Sequence, residues 1–246
     1  RVFCTFGWQK KYADLAKESD TEGHSASVFY YGAPVVMLVC YDRTACWAHP
    51  ESGKSSGATD ATIVIDVESN EKVQIVLDGV SVTNTDFPVI YVKNADKVFV
   101  TTVEGTTNTL QVTGTFASDG DTNTDAVIFS KSDLTLNGLG ALTIESTDNG
   151  ITTKDDMKIT GGALDITCVS DALEANDSIS VADGSITISS QNNGLNASDD
   201  DDDTTGWIYI CGGTFDIDAA SDGIQGNVAV QIDGGTFSID ASEAIE

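Results

Sequence analysis

The sequence predicts an all-β fold. It is a right-handed parallel β-helix (solenoid) over residues 58–246, preceded by a short non-repetitive α/β-like segment. Three observations predict it. A hydrophobic anchor returns at Ile151, Leu173, Leu195, Ile224 and Ile245, in steps of 22, 22, 29 and 21 residues. Each repeat holds three short stretches alternating with period two, such as GIT, MKIT and ALDIT. A glycine phrase recurs as GGALDI, GGTFDI and GGTFSI. Self-similarity at such a period marks a stack of like units.

The rungs follow in order. Ile90 opens the first clear one (PVIYVKNADKVFV), and less regular rungs reach back to about Ala61. Ile128 opens the next (DAVIFSKSDLTLNGLGALTIES), 23 residues before Ile151. Strands this short, with two to four residues between them, leave no room for sandwich hairpins. Rungs stacked in register pair strand on strand along the axis and turn alternate Ile, Leu, Val and Phe side chains inward. Each glycine pair supplies a corner before an inward strand. Tyr91 and Phe129 share a repeat position and are expected to pack on each other.

Charge separates the two regions. Residues 1–57 hold six acids and six Lys or Arg, whereas residues 58–246 hold 33 acids and six lysines. The whole net charge of −27 therefore sits in the repeats. Such a surface repels nucleic acid and attracts cations. The longest apolar run, Ala33–Cys40, is too short to span a bilayer. The five cysteines are scattered, and Cys168 and Cys211 fall at different repeat positions, so no disulfide framework is expected.

The acids are patterned. An Asx-type pair precedes each anchor: Asp148-Asn149, Ser170-Asp171, Asn192-Asn193, Ser221-Asp222 and Ser242-Glu243. A second series follows at Asp133, Asp155 and Asp156, Asn176 and Asp177, and Asp199. Equivalent positions in a parallel stack lie about 4.8 Å apart. Two carboxylates at that distance repel by about 3 kcal/mol at an effective dielectric near 20. Calcium relieves this, because two calcium–oxygen bonds end to end span about 4.6–5.2 Å. Zinc and iron are not expected where His is absent and Cys is sparse. The candidate calcium ligands are Asp125, Asp148, Asn149, Asp155, Asp156, Asp171, Asp177, Asn193, Asp199, Asp222 and Glu243. Asn and Asp also suit solenoid corners for backbone reasons alone, so each position carries both readings. Asp199–Asp203, five acids in a row, reads first as a solvated loop, with calcium the second reading.

The phrases DGVSVTNTDFPVIYVKNADKVFVT, EGTTNTL, DAVIFSKSDLTLNGLGALTI, NGITTKDDMKITGG and SDGIQ…IDGGTF resemble a bacterial family of carbohydrate-binding parallel β-helix proteins. That resemblance implies an extracellular or surface-attached protein with calcium along its rungs. It also implies an acidic polysaccharide partner such as polygalacturonate, the backbone of pectin. Calcium on the acidic stack would offer open positions to uronate carboxylates. Lys93, Lys131 and Lys154, at equivalent rung positions, are candidate ligand contacts or partners of acids such as Asp133 and Asp155. Trp207 and Tyr209, beside the acidic run, are candidate sugar contacts.

Residues 1–57 follow another pattern, holding both His, both Arg and two of three Trp. FYYGAPVVMLVCYDRTACW and SGKSSGATDATIV resemble an internal piece of the nitroreductase family, with KKYADLAKESD as a helix and APVVMLVCYD as a buried strand of an α/β sheet. The resemblance stops near Val64, so it carries no flavin site; residues 1–57 are read as a nitroreductase-like fragment or fused piece without a self-sufficient core, or as a cap on the solenoid. No leader is legible at Arg1, and DASEAIE stops inside a repeat, so the natural chain is expected to continue. The expected function is calcium-dependent, non-enzymatic binding of acidic polysaccharide. A pectate lyase-like or polygalacturonase-like enzyme and a calcium-stiffened surface protein are the alternatives.

Overall fold

The computed structural model describes residues 62–199 and 202–246, together with the backbone of strands at 25–30, 35–41 and 58–59. Every described element is a β-strand. The helix expected over KKYADLAKESD lies outside the described residues.

Three sheet faces wrap one apolar interior. The first face carries eight parallel strands. They run from Ile63–Asp66 and Ile90–Asn94 through Ala126–Ser130, Asn149–Thr153 and Leu173–Ala175. Leu195–Ala197, Asp222–Gly226 and Glu243–Ile245 complete it. The anchors pair in one unbroken column: Ile63, Ile90, Ile128, Ile151, Leu173, Leu195, Ile224 and Ile245. From Ile90 to Ile224 each of them is 0% exposed. A fully buried side chain of this size contributes about 1.5–3 kcal/mol, so the column alone fixes the register.

The second and third faces share continuous strands in mid-stack. Asp156–Cys168 and Ser178–Ser190 run 13 residues each and bend at glycine. That bend is a column of left-handed residues, Gly162 (φ 93°), Gly184 (133°), Gly213 (98°) and Gly235 (112°), with left-handed Gly138 (111°) beside it in the rung above. A Cβ on Gly138 would lie 2.2 Å from the Thr102 carbonyl oxygen, so packing as well as conformation selects glycine there. Beyond the bend, Phe215 and Phe237 stack with ring centroids 4.6 Å apart. Cys168 is buried and Cys211 exposed, both unbridged.

The segment before the repeats departs from the α/β sheet expected of it. Val35–Tyr41 pairs antiparallel with Lys72–Asp78 along its whole length, and Ser25–Tyr30 pairs antiparallel with Val35–Tyr41. It thus adds two antiparallel strands to the second face. An α/β sheet would need parallel neighbours and crossover helices.

One long step breaks the repeat between Ile90 and Ile128. Its loop packs over the outer side of the first face, burying Tyr91 and Phe129, whose centroids are 5.9 Å apart. The Tyr91 hydroxyl donates to Asp119 at 3.0 Å, and the Lys93 ammonium lies 2.7 Å from the same carboxylate.

Candidate functional site

The corner between the first and second faces carries the outer acidic series. In mid-stack the first-face strands end on buried Ser130, Thr153 and Ala175, and after two turn residues the chain enters the second face at Asp133, Asp156 and Ser178. Those turn residues point outward and stack. Asp177 N–H donates to the Asp155 carbonyl at 3.4 Å, and Gly206 N–H to the Asp177 carbonyl at 2.9 Å. Carboxylate oxygens of Asp133, Asp155 and Asp156 all lie within 4.8 Å of one another. Asp133 and Asp155 are half-buried and Asp156 is exposed.

This crowding is visible in their acidity. Burial first, then the charges of Asp133 and Asp177, push Asp155 up to about 6. Burial, with Asp156, Asp199 and Asp202 adding to it, raises Asp177 as well. Lysines relieve the top of the stack, where Lys97 reaches Asp133 at 2.7 Å and Lys72 reaches Asp96 at 3.5 Å. The lysines expected to neutralise Asp133 and Asp155 are spent elsewhere. Lys93 pairs with Asp119, Lys154 with Glu174 at 3.1 Å, and Lys131 donates to the Thr122 hydroxyl at 2.6 Å. Their side chains lean along the outer side of the first face, away from the corner acids. Lys97 escapes a reading based on the anchor because it opens the second-face strand.

The Asx pairs before the anchors form a different structure, an inner ladder. Asn149, Asp171, Asn193 and Asp222 are each less than 10% exposed. Asn149 Oδ1 accepts from Asp171 N–H at 2.9 Å, Asp171 Oδ1 from Asn193 N–H at 2.9 Å, and Asn193 Oδ1 from Asp222 N–H at 3.0 Å. Each side chain thus caps the backbone of the rung beyond it. Asp171 also accepts from the side chains of Asn192 at 2.6 Å and Asn196 at 2.8 Å. The corner role is the one these contacts express at Asn149, Asp171 and Asn193.

The other candidates fall in two places. Asp125 and Asp148 lie beside Glu174. Burial first, then Glu174, pushes Asp125 up to about 6, and Asp148 is raised by burial, with Glu174 and Asp171 contributing. At the last rung, Asp222 and Glu243 join Glu246 in a second triad within 4.8 Å. Asp133, Glu174 and Glu246 complete these groups without belonging to the expected ligand set. Asp133 stood in the repeating series, Glu174 aligns with Thr152 and so breaks no pattern, and Glu246 follows the last anchor. Asp199 sits beside Asp177, whereas Asp200 and Asp201 lie outside the described residues.

Trp207 and Tyr209 occupy successive outward positions of the strand Trp207–Ile210 and are 50% and 39% exposed. Trp207 pairs in register with Ser178, which pairs with Asp156. The indole therefore lies on the same outward row as the acidic corner, two rungs or about 10 Å from Asp156.

The raised carboxyls set a pH dependence. Asp125 and Asp155 titrate near 6 in the fold, against an ordinary 3.8. The folded state holds protons that the unfolded chain has released, so stability grows as pH falls through that window. In chelator, the melting temperature is expected to be higher at pH 5 than at pH 7. An unchanged or lower value would contradict this electrostatic account.

Fold and corner together define an acidic parallel β-solenoid. A family model described as carbohydrate-binding domain-containing protein matches residues 53–246, and the chain belongs to that family. A carbohydrate-binding domain-containing protein of Acetivibrio thermocellus is 39% identical over 106 residues, 42% of this chain and 37% of that relative. The chain thus matches about a third of that relative's length. The solved structure of a polysaccharide lyase-like protein from C. thermocellum, a gadolinium derivative, aligns with a TM-score of 0.65 and 30% identity. The alignment covers 76% of this chain and 79% of that one.

Proposed function

We propose that this chain binds acidic polysaccharide of the polygalacturonate type through calcium held on the outer corner, outside the cell or at its surface. The observation that carries the reading is the carboxylate triad of Asp133, Asp155 and Asp156 within 4.8 Å. Oxygens bound to one calcium at about 2.3–2.6 Å lie up to roughly 5 Å apart. The donor set fits a hard cation and offers nothing to a soft one. Asp177 and Asp199 would extend the site along the axis. The solved neighbour was obtained as a gadolinium derivative, and gadolinium is likewise a hard, oxygen-seeking ion. Bound calcium would present open positions to uronate carboxylates, which the bare corner repels.

Retention on immobilised polygalacturonate, with calcium and with chelator, tests this. Retention is expected to depend on calcium, and undiminished retention in chelator would sink the bridging idea. A large drop in melting temperature in chelator without any retention favours the calcium-stiffened surface protein.

A catalytic reading rests on the neighbour's description as polysaccharide lyase-like. A lyase needs a base free to take the proton beside the uronate carboxylate. Lys93 and Lys154 are held in ion pairs with Asp119 and Glu174, which favours binding over catalysis. Release of unsaturated uronate, followed by its ultraviolet absorbance, would reverse that preference.

A further inference from the structure

The acidic corner leaves Trp207 and Tyr209 unexplained. Both rings stand on the outward side of the second face, and small or slender neighbours leave them open along the axis. Ser178 and Ala229 flank Trp207 in register, and Ser180 and Gln231 flank Tyr209. Polar atoms on both rings are tied down. The indole N–H donates to the Thr204 carbonyl at 3.3 Å, and the Tyr209 hydroxyl to Asp233 Oδ2 at 3.0 Å. Asp233 is itself held by the Gln231 amide, 3.1 Å from each carboxylate oxygen. The result is a pre-ordered apolar bed with fixed hydrogen-bonding groups along one edge. Aromatic faces bind the C–H face of a pyranose, while carboxylate and amide groups take its hydroxyls. Exposed aromatic pairs on a regular strand are otherwise a liability for solubility.

Charge selects the occupant. Asp233 borders Tyr209 and Asp202 holds the Thr204 turn on which the indole rests, whereas the nearest lysine on these rows, Lys158, lies two rungs from Tyr209 beyond Ser180. An anionic sugar is repelled there, whereas an uncharged sugar is not. We propose that Trp207, Tyr209, Gln231 and Asp233 form a second glycan site that binds uncharged pyranose chains without metal. It rests on carbohydrate binding as such, and not on the calcium reading.

Titration calorimetry with cellohexaose, a linear neutral β-linked hexasaccharide, in chelator tests it, with hexagalacturonate plus calcium run in parallel. The full chain is expected to bind cellohexaose in chelator. Trp207→Ala should weaken that binding by about tenfold or more, and Asp155→Asn should leave it unchanged. Both variants are checked by thermal melting. No heat with cellohexaose, binding that requires calcium, or equal binding by Trp207→Ala would each overturn the proposal. Failure with hexagalacturonate alone would instead count against the calcium corner.

Discussion

Asp171→Ala is expected to lower stability by about 3 kcal/mol, or roughly 10 °C in melting temperature for a chain of this size. The residue is 6% exposed and accepts three hydrogen bonds, from Asn193 N–H and from the side chains of Asn192 and Asn196. Alanine strands a buried backbone N–H, and the two amides lose a charged acceptor. Desolvated donors without partners cost about 1–3 kcal/mol each, and the amides recover part of theirs by turning toward water. Asp171→Asn keeps an acceptor for Asn193 and should cost about 1 kcal/mol. Denaturant unfolding of both variants measures the difference. Equal losses would show that charge, not the ladder hydrogen bond, matters at this position.

Asp155→Asn is expected to act in the opposite direction. Its carboxylate is crowded by Asp133, Asp177 and Asp156, and no described lysine forms an ion pair with it. Removing the charge should stabilise the metal-free chain by about 1 kcal/mol, a figure discounted for solvent screening because the group is only part-buried. Under the reading above, the same substitution exchanges a charged calcium ligand for a neutral, weaker amide oxygen. Calcium at a hundred times its dissociation constant stabilises a one-site protein by about 2.7 kcal/mol, and the variant should lose most of that gain. Melting curves with and without calcium, together with retention on polygalacturonate, check both halves. A variant less stable without metal would refute the crowding argument. An unchanged calcium response would move the cation elsewhere, with the triad of Asp222, Glu243 and Glu246 as the next place to substitute.

These two aspartates show what the sequence disclosed and what it withheld. The anchor spacing located every rung from Ile90 onward, because in-register pairing leaves a linear trace in the chain. Both acidic series were legible for the same reason. Their difference was not. Asp171 and Asp155 carry the same side chain, and only the direction of the turn puts one inward against amides and the other outward against carboxylates. Partners of Lys93, Lys131 and Lys154 were hidden too, because Asp119 and Thr122 sit on an irregular loop and Glu174 on the next rung. In the N-terminal segment, an apolar run such as Val35–Tyr41 fixes a strand but not its neighbour, so its antiparallel docking on Lys72–Asp78 had no local signal.

The uneven steps between anchors have an evolutionary corollary. The step from Leu195 to Ile224 is 29 residues where its neighbours take 22 or 21, yet Leu195 still pairs with Ile224 and Ser178 with Trp207. The surplus residues leave at one corner and return without shifting any column. A lineage can therefore lengthen, shorten or exchange a corner loop in a single event and keep the scaffold, so loop content can diversify far faster than the coil that carries it. Specificity in such a protein is free to be rewritten by insertion, while the interior changes by slow substitution.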